Sequence, residues 1–168
     1  MKLITLAVAS AFFAQAAFAQ APEQDVPKSM QVKLSLVGDD GPVFNISANA
    51  RVGHEQPMSS QNVITIRSSC SDTPGEPTII KSDKLYTGYM VNILPLESTP
   101  TKRKVQIQYQ YSKLLSMTQS TSPNCILDLP ETVNFGGTMA VILKPGEPVK
   151  VSPIEVEGHT YELTITAD

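Results

Sequence analysis

Two histidines, two cysteines and a scatter of serines and carboxylates are where any chemistry in this chain would have to begin. His54 lies in Gly53-His54-Glu55-Gln56-Pro57, and His159 stands just ahead of the last apolar stretch. With Ser59 or Ser60 as nucleophile, His54 as base and an Asp to orient it, a hydrolytic triad can be drawn on paper. No Gly-x-Ser-x-Gly elbow singles out one serine, and serine is abundant. Neither histidine belongs to a spaced metal pair such as His-Glu-x-x-His. Glu155 and Glu157 would share one face of a strand, as a glycosidase pair requires, yet a solvent-facing edge accounts for them without chemistry. No Gly-rich phosphate loop precedes a helix, and Gly136-Gly137 reads as a turn or bulge. The histidines read as solvated turn residues. The expectation is no enzyme: no catalytic residue, no cofactor and no metal.

The cysteines sit in polar surroundings that read as loops, Ser68-Ser69-Cys70-Ser71 and Pro123-Asn124-Cys125. In an oxidising compartment an even pair implies a Cys70–Cys125 disulfide, with two free thiols as the rival. Such a bond would stabilise by about 4 kcal/mol on the chain-entropy account. A third group of interest is Gln106, Gln108 and Gln110, which alternate with Val105, Ile107, Tyr109 and Tyr111. The tyrosines continue the apolar face and read as core. The glutamines then form a flat polar face, able in principle to bind an extended polymer or peptide.

The elements that would position these residues are strands. Tyr161, Leu163, Ile165 and Ala167 alternate with Glu162, Thr164 and Thr166, the period-2 signature of a half-buried antiparallel strand. Met30, Val32, Leu34 and Leu36 show the same alternation, followed by an Asp39-Asp40-Gly41-Pro42 turn and a strand from Val43 to about Ala50. Further strands are expected over 62–67, 78–80, 84–94 with a kink at Gly88, and 105–111. Leu114, Leu115 and Met117 suggest a weak helical turn, 119–124 a polar loop, and 126–129 a short apolar piece. Pro-Gly-Glu-Pro occurs at 74–77 and again at 145–148, and suits a type II turn both times. The fold class is therefore all-β: a single antiparallel β-sandwich of about eight or nine short strands.

The first nineteen residues have a charged start at Lys2, an apolar run to Phe18 and a small-x-small site, Ala17-Phe18-Ala19, before Gln20. This is the pattern of a secretory signal peptide cut between Ala19 and Gln20. Residues 20–29 read as a flexible lead-in and 30–168 as the domain. The leader's brief, Ala-rich character places the protein in the bacterial periplasm or outside the cell, with no transmembrane segment after cleavage. Losing Lys2 leaves 12 basic against 16 acidic side chains, which argues against a nucleic-acid partner. Seven of those acids fall between Asp128 and Asp168, facing only Lys144 and Lys150 in that stretch. They form a solvated acidic face or a contact for a basic partner, such as Lys102-Arg103-Lys104 of another copy.

Two resemblances follow from these patterns. Gly88, Val91, Ile93 and Pro95, then Val105, Ile107, Tyr109, Ser112 and Leu114, then Val141, Leu143, Gly146 and Glu147 resemble the β-rich C-terminal module of bacterial secretins over residues 88–151. That likeness implies a β fold and carries no channel function. The overall plan, a leader, one cysteine pair, many strands and an alternating last strand, is similar to fimbrial subunits. It implies donation of a strand such as Met30 to Leu36 to a neighbouring copy. The fimbrial ending is not present, since Gly158 and Tyr161 stand elsewhere. The function expected is a small exported, non-catalytic binding or accessory component of the envelope with a protein partner. The alternatives are a self-associating surface subunit, or an inhibitor using an exposed loop such as Gly53 to Ser60.

Overall fold

The computed structural model describes residues 29–168, all β-strand and turn. The leader, the Ala19–Gln20 cleavage site and residues 20–28 lie outside the described residues. Nine strands form two antiparallel sheets. The first sheet runs β2 (Gly41–Arg51), β1 (Ser29–Gly38), β9 (His159–Ala167), β7 (Val149–Lys150), with β8 (Ile154–Val156) also paired to β9. The second runs β3 (Gln56–Ser71), β4 (Ile79–Ser98), β5 (Arg103–Ser122), β6 (Cys125–Leu143). Among the described residues no helix is long and apolar enough to cross a membrane.

Alternation decides which side chains meet between the sheets. Met30, Val32, Leu34 and Leu36 of β1 and Tyr161, Leu163, Ile165 and Ala167 of β9 are all at most 3% exposed. They face Val91 and Ile93 of β4, Val105 and Ile107 of β5, and Val133 and Leu143 of β6 in one cluster. Tyr109 and Tyr111 are buried with them, and the intervening glutamines point the other way, as the period-2 reading expects. Aromatic contacts seal one end: Tyr111 lies 5.8 Å from Tyr161 and Phe135 4.5 Å from Tyr161, while Phe44 of β2 meets Tyr89 of β4 at 4.8 Å. Both Pro-Gly-Glu-Pro segments make the expected turn. Glu76 N–H bonds the Thr73 carbonyl, Glu147 N–H bonds the Lys144 carbonyl, and Gly75 and Gly146 have φ of 89° and 75°.

The second sheet differs from expectation in length. β3 to β6 are 16, 20, 20 and 19 residues long, several times the usual strand, and extend well past the core. Of the stretches read as loops around the cysteines, Ser68 to Ser71 and Gln119 to Ser122 are strand while 72–78 and Pro123-Asn124 stay outside the strands, and the suggested helical turn at Leu114 to Met117 is strand too. Gly136-Gly137 is no turn either but lies mid-strand in β6, where a Cβ on Gly136 would come within 2.6 Å of the Tyr109 carbonyl oxygen.

The β4–β5 ladder ends at Gly88↔Ser112, although β3–β4 and β5–β6 pairing continues to the tips. Gly88 has φ 116°, and any Cβ there would collide with the Ser60 backbone oxygen, so the parting of the hairpins needs glycine. Beyond it the strands that meet are β3 and β6, joined by Cys70–Cys125 with Cα atoms 5.9 Å apart. The neighbours have thus exchanged. Two-stranded ribbons twist more than wide sheets, and each freed hairpin turns its outer strand inward.

Candidate functional site

Three ladder rungs define the face of the second sheet that points away from the core. Ser59, Met90, Gln110 and Gly136 stand in one rung, and Pro57, Asn92, Gln108 and Thr138 in the next. Gln61, Gly88, Ser112 and Asn134 complete the third at the fork. With strands about 4.8 Å apart and same-face residues about 6.8 Å apart, the patch spans roughly 14 Å each way. The face is concave and encloses a cavity of about 850 Å³, within the range of small-molecule sites. Its lining combines the carboxamides Gln61, Asn92, Gln108, Gln110 and Asn134 with apolar groups, among them Met58, Tyr109, Phe135 and Met90, the last 46% exposed. Among the described residues no charged side chain lines it. Glu55 at the rim accepts a 2.9 Å hydrogen bond from Asn92 Nδ2, while Asn92 Oδ1 is buried without a partner.

Beyond this face the tips of β3 and β6 are tied to each other. Arg67 of β3 donates from Nη2 to Asp128 Oδ1 at 2.8 Å and from Nε to Oδ2 at 3.0 Å, and its backbone N–H bonds Oδ2 at 2.8 Å. The Asp128 side chain is only 11% exposed, and Gln119 Nε2 donates to it from β5. Asn124 Nδ2 reaches Asp72 at 2.7 Å beside the disulfide. Arg67 hydrogen bonds, from side chain first and then backbone, hold the Asp128 carboxyl well below the usual carboxylate range. At the fork Lys113 pairs with Asp40 of the β1–β2 turn at 2.5 Å, tying the arms' base to the first sheet.

The residues considered for chemistry are not brought together. His54 is exposed in the β2–β3 turn and His159 begins β9 at the other end of the first sheet, roughly 30 Å away along β1. Ser59 lines the cavity, but no His or carboxylate does among its described lining. Glu155 lies on β8, whereas Glu157 occupies the β8–β9 turn with φ 51°, so they share no strand face. The acidic tail is largely neutralised in place, since Asp128, Glu147, Glu162 and Asp168 pair with Arg67, Lys144, Lys150 and Lys33. Nor is Lys102-Arg103-Lys104 a free basic patch: Lys102 pairs with Glu97 at 3.1 Å and Arg103 is buried against the Thr99 and Lys102 carbonyls. The proposed inhibitory loop, Gly53 to Ser60, is strand from Gln56 onward.

The alternating glutamines were visible in the sequence, but Asn92, Asn134, Thr138 and Gln61 come from three other strands and carried no signal of their own. Compared with protein-family models, curated proteins and solved structures, the chain matches none.

Proposed function

We propose that this protein is a non-catalytic binding or accessory component of the bacterial envelope that works through the concave face of its second sheet. One observation carries the reading: a cavity of about 850 Å³ rich in amide donors and acceptors and lined by no acid, base or histidine. Such a surface can hold a ligand and has nothing with which to transform it. Export by the leader and residence in the periplasm belong to the same proposal. A photoreactive residue in place of Gln110 is expected to crosslink an envelope component, and the same residue in place of Glu155 is not. Hydrolysis of an ester, peptide or glycan by the purified protein, lost on His54→Ala, would remove the proposal.

A second reading, a self-assembling surface subunit, is favoured by a different observation. Past the fork, β4 over Ile79 to Thr87 and β5 over Lys113 to Ser122 each have one edge outside any ladder. Free edges accept added strands. The donor would not be β1, which lies between β2 and β9 in its own sheet. Sedimentation that finds only monomer at high concentration would count against assembly.

A further inference from the structure

We infer that the ligand of the concave face is a neutral oligosaccharide; this rests on the binding role proposed above and specifies its chemistry. Three features of the cavity narrow the choice. Among the described residues its lining contains no charged side chain and the charge at its rim, Glu55, is negative, so an anionic ligand would give up hydration and gain no opposite charge in return. Nucleotides, acidic glycans and acidic peptides are disfavoured on that ground.

Its floor is the face of a fully laddered sheet. At the rungs through Met90 and Asn92 every strand from β3 to β6 is paired with its neighbour. The backbone N–H and C=O groups of β4 and β5 are spent in those ladders, and those left over on the outer edges of β3 and β6 lie in the plane of the sheet rather than rising from the floor. An extended peptide would find its matching groups along the open strand edges, not on this face. Recognition in the cavity must come from side chains.

Most of the polar side chains present are carboxamides, each a donor pair and an acceptor on one rigid group. Gln108 and Gln110 alternate on β5, with Asn92 beside Gln108 across the β4 ladder and Asn134 on β6. A carboxamide matches adjacent hydroxyls, giving to one and accepting from the other. Glu55 holds the Asn92 amide nitrogen and Asn92 Oδ1 is buried, so Asn92 shapes the wall while the exposed Gln108 and Gln110 offer the accessible carboxamides. Met90 supplies an apolar surface in the same rung as Gln110, suited to the C–H face of a sugar ring.

The test is a titration of the purified protein with cellohexaose, maltohexaose and chitohexaose, followed through the side-chain amide NMR signals of Asn and Gln. An oligogalacturonate serves as the charged analogue and an uncharged Ser/Asn decapeptide as the rival class. One or more neutral glycans should shift the Gln108, Gln110 and Asn92 signals, with the oligogalacturonate weaker. The exposed pair Gln108→Ala/Gln110→Ala should weaken that binding about tenfold while leaving the melting temperature in place. If the peptide shifts these signals and no glycan does, the saccharide assignment falls and the binding face survives. If no probe moves them, both fall.

Discussion

The four long strands of the second sheet run through both the body of the sandwich and the arms beyond Gly88, and the two regions are held together by different forces. In the body, Ile93, Val105, Ile107 and Val133 are inaccessible to solvent, and burial of apolar surface carries the stability. In the arms, none of residues 61–88 or 112–132 is buried. Seven large apolar side chains there, among them Val63, Ile79, Tyr86 and Leu129, are exposed. What holds the arms is ladder hydrogen bonding, a disulfide and the Arg67–Asp128 pair. The contrast teaches that strand length is not a measure of core. A hairpin can run on past its hydrophobic support if a covalent tie closes it at the far end.

Breaking the tie should have the largest effect. Cys70→Ser with Cys125→Ser is expected to cost about 4 kcal/mol in urea unfolding. Amide exchange should accelerate mainly over 62–87 and 113–132. Equal loss of protection at β1 and β9 would mean that body and arms are one unit after all. Opening a hole in the body comes next: Ile107→Ala should cost about 3 kcal/mol and speed exchange throughout, arms included.

Acid should sharpen the comparison. Because the folded state depresses the Asp128 pKa, its stabilising contribution is complete above the unfolded value of about 3.9 and fades as pH falls toward the folded one. Between pH 5 and pH 2 the arms are expected to loosen before the body. Asp128→Asn should flatten that dependence; a variant as acid-sensitive as the parent would place the effect elsewhere. The smallest change is expected for Val63→Ser, an exposed arm position, within about 0.5 kcal/mol of the parent by thermal melting.

Much of the body was legible in the chain. β1, β5 up to Tyr111, and β9 follow strict alternation, and the Asp-Gly and Pro-Gly turns stand where their residue types require. The tips were not legible for two reasons. Ser68 to Ser71 and Gln119 to Ser122 are polar residues of modest strand preference, made into strand by their partners and by the disulfide. At Leu114 to Met117 a bulge between Leu114 and Ser116 shifts the alternation by one residue, so apolar neighbours imitate a helical spacing. The binding face was half visible: Gln106, Gln108 and Gln110 announced a polar surface, but its companions Asn92, Asn134, Thr138 and Gln61 lie 16 to 47 residues from Gln108 in no recognisable motif.

Local alternation by itself determined which side chains of each strand face the core, because side-chain direction in an extended chain depends only on adjacent residues. Only the tertiary structure decided that the polar side of one sheet is hollow and that its hairpins trade neighbours beyond Gly88. Twist and curvature belong to several paired strands at once, and no single segment contains the information to specify them.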